Sequence, residues 1–179
     1  MAVEIEKKYR VTEEQRQLVV EALEEFGAEY LGEQFEENTV FGGGVLDEKL
    51  AALRIRKTAD KTLLTYKQRI QSEDGAKHQT EHEVEVSDHE SLKAIVENLG
   101  FEPRLVYEKR RRTWKFRSVE VVLDELPFGL FMEIEGSVMS IREAEMLLDI
   151  EELEVEHDTY PRMASRLGKA VGNVIESRF

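Results

Sequence analysis

With 179 residues, 41% apolar and 35% charged, the chain is sized for one folded domain over residues 1–179, and its composition excludes disorder as the main state. A formal charge of −13 excludes a general attraction to nucleic acid or to an anionic membrane, so any anion must be met by positive charge gathered locally. The absence of cysteine excludes disulfides, thiolate catalysis and cysteine-bound zinc; the four histidines lack metal-pair spacing and no signal-peptide or membrane-span pattern is present, so a cytoplasmic location is expected.

The first element is a strand over residues 3–11. Every second side chain of a strand shares a face, so Glu4, Glu6 and Lys8 look one way while Val3, Ile5 and Tyr9 look the other. Thr12-x-x-Gln15 is a capping box ahead of Leu18, Val19, Ala22, Leu23 and Phe26 at helical spacing, with Gly27 as the stop. Residues 28–41 read as extended. Gly42-Gly43-Gly44 reads as a turn, since no Gly-Lys-Ser/Thr and helix follow to make it a phosphate loop.

Residues 50–57 form a strand with Arg54 and Arg56 on one face, and residues 62–70 a second with Thr65, Lys67 and Arg69 on one face, joined by a hairpin turn at Ala59-Asp60-Lys61. A polar loop is expected over residues 72–77. Residues 80–86 alternate Glu81, Glu83 and Glu85 against His82, Val84 and Val86. Ser87-x-x-Glu90 is a second capping box, introducing Leu92, Ile95, Val96 and Leu99 before Gly100. Residues 105–116 form a strand in which Tyr107, Lys109 and Arg111 share one face and Arg110, Arg112 and Trp114 the other. Two further strands cover 119–126 and 130–136, the latter placing Phe131, Glu133 and Glu135 together. Ser140-x-x-Glu143 is a third capping box. Leu153 and Val155 mark an edge segment, and Thr159-Tyr160-Pro161 opens a last helix running through Val174, with Gly168 and Gly172 as weak points.

Gathered together, these faces carry carboxylates (Glu4, Glu6, Glu133, Glu135), an acidic ladder (Glu81, Glu83, Glu85) and cations (Lys8, Arg54, Arg56, Lys67, Lys109, Arg111). An antiparallel sheet wetted on one side produces the same alternation with no site at all. Against that, like charges recur at i,i+2 on strands far apart in sequence, where they repel unless something neutralises them. Oxygen-only carboxylate clusters suit Mg²⁺ or Mn²⁺, and arginine and lysine suit phosphate oxygens, so one cavity holding both would take a metal–polyphosphate complex.

Glu4-x-Glu6-x-Lys8, Leu53-Arg54-Ile55-Arg56, Leu64-Thr65-Tyr66-Lys67, Glu81-His82-Glu83-Val84-Glu85, Glu108-Lys109-Arg110-Arg111, Val122-Leu123-Asp124 and Phe131-Met132-Glu133-Ile134-Glu135 together resemble the CYTH family, the triphosphate tunnel metalloenzymes, in the family's order. The resemblance implies an α+β fold: an eight-stranded antiparallel β-barrel forming a tunnel, with helices packed outside. It makes Glu4, Glu6, Glu133 and Glu135 ligands of Mg²⁺ or Mn²⁺, assisted by Asp124 and one of Glu81, Glu83 or Glu85, with Glu83 the middle choice. Lys8, Arg54, Arg56, Lys67, Lys109 and Arg111 become triphosphate-binding residues. Arg69 and Arg110 are candidates with a cross-strand salt bridge as the alternative, and Asp124 has a turn-forming role as its own. Glu4, Glu6 and Lys8 stand closest to catalysis. Hydrolysis of inorganic, thiamine or nucleoside triphosphate is the expected activity, because the His-Phe pair ahead of the Glu-x-Glu-x-Lys motif in the family's class IV adenylyl cyclases is replaced by Met1-Ala2-Val3. Cyclisation of ATP to cyclic AMP, and non-catalytic polyphosphate binding, are the alternatives. The expected partner is a small-molecule triphosphate, with neither nucleic acid nor membrane, and with a homodimer left open.

Overall fold

The computed structural model describes residues 5–70 and 78–179, with side chains over 5–68 and 80–179. Glu4, the side chain of Arg69 and the loop expected over 72–77 lie outside the described residues.

Among the described residues ten strands and five helices follow one another as β1 (Glu6–Val11), α1 (Glu13–Glu25), β2 (Glu29–Gly42), α2 (Val45–Glu48), β3 (Ala51–Lys57), β4 (Thr62–Ile70), β5 (His78–Val86), α3 (His89–Asn98), β6 (Glu102–Phe116), β7 (Val119–Leu126), β8 (Gly129–Glu135), α4 (Val138–Leu147), α5 (Tyr160–Leu167), β9 (Lys169–Val171) and β10 (Val174–Ser177). This is the expected α+β class. Eight strands form one sheet in the order β1-β8-β7-β6-β2-β3-β4-β5, and β10 adds parallel to β6. The outer edge of β1 is met by residues 154–156: Arg10 donates to the carbonyl of Glu154, Glu156 donates to that of Lys8, and Tyr9 and Val155 form a bridge. That is the edge segment expected at Leu153 and Val155.

The chain divides into two compact units, one of residues 1–35 and 109–158, the other of 36–108 and 159–179. Within the first, alternation sends Tyr9, Val11, Met132, Ile134, Val121, Leu123, Trp114 and Phe116 to one face, where they form the core with Val19 and Leu23 of α1 and Ile141 and Ala144 of α4. Lys8, Glu133, Asp124 and Arg111 therefore occupy the opposite face. Within the second, Phe41 and Ile55 form a smaller core with Leu92 and Val96 of α3, and Arg54, Arg56 and Thr65 point away from it. In the first unit the charged face is thus opposite the one packed on α1 and α4, and in the second opposite the one packed on α3.

Local signals explain most element ends. Thr12 caps α1 with the full reciprocal box: its hydroxyl accepts from the amide of Gln15, whose side chain accepts from the amide of Thr12. Thr12→Ala should therefore cost about 1 kcal/mol of stability, read as a lowered urea midpoint with unchanged m. The other two boxes are displaced. Asp88, not Ser87, caps α3 by accepting from Ser91, and Ser137, not Ser140, caps α4. Each true cap lies where the chain is still extended, and a carboxylate or hydroxyl there reaches the amide three residues on.

The last helix is also shorter than its apolar periodicity predicts. It ends at Leu167, and Gly168 follows in extended backbone. A Cβ on Gly168 would lie 2.7 Å from the carbonyl oxygen of Ala164 and 2.8 Å from that of Glu176, so only glycine admits the returning strand. Gly172, at φ +61°, then turns β9 into β10. The one-turn helix α2 follows the glycine turn where the sequence reading had none.

One buried polar pairing ties β1 to α4. Glu145 accepts hydrogen bonds from Lys7 and, at 2.6 Å, from the Tyr9 hydroxyl. Burial opposes ionisation of this carboxyl, but the Lys7 and Tyr9 hydrogen bonds and the nearby charges of Lys7 and Arg142 outweigh it and hold the group below the usual carboxylate range. A carboxyl depressed in the fold contributes stability that is complete above its unfolded pKa and is lost as pH falls through the folded value. Glu145→Gln should thus be less stable by about 1 kcal/mol at pH 7, the deficit closing below about pH 4.3, in a comparison of melting temperature against pH.

Candidate functional site

In the first unit, register assembles the charges row by row. Lys8 stands opposite Glu133, which stands opposite Val122; Arg10 stands opposite Phe131, which stands opposite Asp124, which stands opposite Arg111. Arg111 is the hub. Its guanidinium donates to both oxygens of Asp124, from Nε at 2.8 Å and from Nη2 at 2.6 Å, and Nη2 also reaches Glu133 Oε2 at 2.6 Å. Lys8 Nζ lies 3.2 Å from Glu133 Oε1 and donates to the carbonyl of Asp158 at 3.2 Å, while Lys109 Nζ is 3.5 Å from Asp124 Oδ2. Lys8, Lys109, Asp124 and Glu133 are all buried, at 8%, 5%, 1% and 8% exposure. These are not the solvated charges of an ordinary sheet face.

Taking three cations and two carboxylates out of water is costly, and their mutual attraction offsets the cost only with close geometry. The planar guanidinium with its fixed fork meets Asp124 bidentately, which lysine cannot do. Asp124 is mid-strand in β7, so its turn-forming alternative is excluded. Arg110 points to the other face and pairs with Glu125 across β6 and β7 at 3.3 Å, which is the salt bridge considered for it.

One row further along the same face, Glu6 stands opposite Glu135 and Glu135 opposite Glu120. Three carboxylates thus occupy successive strands, the last of them not singled out from the sequence. Among the described residues no three His, Asp or Glu side chains converge as a ready-made metal cage. The donor set nonetheless fits a hard divalent cation of the Mg²⁺ kind, which takes one or two carboxylates and completes its octahedron with water and phosphate oxygens. Glu6, Glu133 and Glu135 are the described residues suited to it. Asp124, with both oxygens held by Arg111, is the least suited.

In the second unit, β3, β4 and β5 place Arg54, Thr65 and Glu83 in one row, Arg56, Leu63 and Glu85 in the next, and Lys67 beside Glu81. Arg54 Nη2 donates to Thr65 Oγ1 at 3.3 Å, Thr65 donates to Glu83 Oε2 at 2.7 Å, and Arg54 lies 3.7 Å from the same carboxylate. Glu83 is thus joined to Arg54, one of the predicted phosphate ligands, through Thr65. Lys67 and Glu81 form a half-exposed pair at 2.8 Å. On β2, Glu36 and Asn38 are buried polar residues that the sequence reading passed over; their i,i+2 spacing opposite Arg56 was the available signal.

Comparison with known proteins gives the family and the fold. The family model for the CYTH domain matches residues 2–165 and so runs through both units. A Methanocaldococcus jannaschii protein named "Putative adenylate cyclase" is 31% identical over 150 residues, covering 82% of this chain and 84% of that protein. The structure of the PH1012 protein of Pyrococcus horikoshii superposes with a TM-score of 0.72 at 27% identity, covering 88% of this chain and 97% of the other. A Hippeastrum protein, named "Putative adenylyl cyclase" and described as having a dominant triphosphatase activity, shares the fold at a TM-score of 0.65 and 23% identity, covering 96% of this chain and 99% of its own. No helix among the described residues is long and apolar enough to cross a membrane.

Proposed function

This chain belongs to the CYTH domain family, and we propose that it is a divalent-metal-dependent triphosphatase acting on a small-molecule triphosphate. The observation that carries this reading is the cluster of buried Lys8 and Lys109 with the partly buried Arg111, on the face of the first unit opposite the one packed on α1 and α4. Cations held by carboxylates in such a setting suit a polyanion better than they suit stability, because apolar residues of similar volume would stabilise the same space as well or better. Arg54 and Arg56 of the second unit, with Lys67 and Arg69, are assigned to phosphate oxygens as well.

In this reaction the oxygen of a water molecule attacks the terminal phosphorus, the bridging P–O bond breaks with its electrons leaving on the diphosphate, and orthophosphate forms with one proton released to solvent. Lys8, Lys109 and Arg111 oppose the negative charge that builds on the transferring and leaving groups. Glu6, or Glu4 two residues before it in the sequence, orients the water. A bound Mg²⁺ or Mn²⁺, held by Glu4, Glu6, Glu133 and Glu135, would neutralise phosphate oxygens. Asp124 serves mainly to fix Arg111.

Cyclisation of ATP to cyclic AMP is the second reading, favoured by the name of the 31%-identical archaeal relative. It uses the same charges but needs a ribose 3′-hydroxyl held for attack on the α-phosphate, whereas hydrolysis needs only the groups already assigned. Incubation with Mg²⁺ or Mn²⁺ and tripolyphosphate, thiamine triphosphate or ATP separates them. Orthophosphate as the product supports hydrolysis, cyclic AMP with pyrophosphate supports the cyclase, and binding without product overturns both. Arg56→Ala should raise KM or lower kcat for the preferred triphosphate by about tenfold to a hundredfold, the worth of a charged hydrogen bond, with melting temperature unchanged. A change in stability alone would reduce Arg56 to a salt-bridge residue.

A further inference from the structure

Glu36 and Asn38 have no part in the reaction just described, yet each is only 1% exposed. Asn38 Nδ2 donates to Glu36 Oε2 at 3.3 Å, and that same oxygen lies 3.7 Å from Nε of Arg56, the residue opposite Asn38 in the register of β2 and β3. At 3.7 Å the contact is an ion pair without a hydrogen bond. Among the described residues Arg56 makes no hydrogen bond, and its buried Nε and the buried Oδ1 of Asn38 are without hydrogen-bond partners. Tyr107, 3% exposed, lies near Arg54, Glu36 and Arg56, and burial above all holds its hydroxyl above the usual range.

We infer that Glu36 is a positioning residue, whose charge orients the Arg56 guanidinium while Asn38 fixes the carboxylate, so that the N–H groups of Arg56 are kept for a phosphate of the substrate. The contrast with the first unit carries the argument. Asp124 holds Arg111 bidentately, which uses up the side of the guanidinium that faces it. Glu36 holds Arg56 by charge at a longer distance and leaves its buried Nε without a hydrogen bond, while the rest of the guanidinium, in a side chain 23% exposed, stays open to an incoming acceptor. A salt bridge built for stability alone would close to hydrogen-bonding distance.

The inference rests on the triphosphate reading, and the two can fail separately. The test is calorimetric titration of the full chain with tripolyphosphate, metal-free, alongside melting temperature. Glu36→Gln keeps the side chain's shape and removes its charge. It should weaken binding about tenfold, and in an Arg56→Ala background the same change should have no further effect, because Glu36 acts through Arg56. Asn38→Ala should give a smaller loss with the same dependence on Arg56, and it carries the cycle if the Glu36 variant does not fold. Unchanged or tighter binding in folded Glu36→Gln overturns the inference, since a carboxylate that merely repelled phosphate would give that sign; so do losses that add to those of Arg56→Ala. If the unaltered chain does not bind tripolyphosphate, the inference falls together with the triphosphate reading; if it binds and the variants match it, the inference falls alone.

Discussion

Arg111→Ala is expected to lower kcat/KM for the preferred triphosphate about 10²–10³-fold, the usual loss when one fixed donor to developing charge is removed. The same change removes the shared partner of Asp124 and Glu133, whose side chains are 0% and 10% exposed and which also meet Lys109 and Lys8. Breaking a buried ion network from one side costs about 3 kcal/mol. The two effects are separable by measurement: chemical denaturation gives the stability, and activity well below the melting transition gives the catalytic loss. Arg111→Lys restores charge but not the fork, so it should recover stability in part and activity less, because a single ammonium cannot donate to both carboxylates and a phosphate in fixed directions. Activity retained in Arg111→Ala would remove this cluster from the proposed chemistry.

Glu133→Gln is the second large effect. Glu133 lies 3.2 Å from Lys8 and 2.6 Å from Arg111, and on its strand it is two residues from Glu135, which faces Glu6. It is thus placed both to aim two cations and to take part in metal binding. The amide keeps volume and one acceptor but loses the charge, so the fold should persist while metal-dependent turnover falls about a hundredfold. Titration with Mg²⁺ and Mn²⁺ distinguishes the two roles. A loss rescued by high metal concentration points to metal affinity, and one that is not points to Lys8 and Arg111. Wild-type turnover in the variant would exclude Glu133 from both.

Much of this arrangement was legible in one dimension. A strand's period of two is strict, so Lys8, Glu133 and Glu135 could be assigned to faces before any pairing was known, whereas for Lys109 and Arg111 the alternation showed only that they share a face and left open which face lies inside; the pairing of the first unit decides it. Helix starts were less legible. Ser87 and Ser140 match the capping pattern as well as Asp88 and Ser137 do, and the choice depends on where the preceding strand lets go of the chain. The overlong last helix has a similar cause: apolar spacing continues through Val174, but residues 169–177 form hydrogen bonds as a hairpin, and Gly168 admits the returning strand where any side chain would collide with it.

By itself the sequence determined which residue types share each strand face, that the charged faces are opposite the apolar ones, and which family's motif order the chain carries, because these depend only on local alternation and spacing. Tertiary structure decided partnership. That Arg111 binds Asp124 and Glu133 together, that Arg110 pairs with Glu125 instead, and that Glu36 stands beside Arg56 follow from the register of β6 with β7, β7 with β8 and β2 with β3. Register is set by packing of whole faces against helices, and a shift of one residue would have turned every one of these charges to the other side.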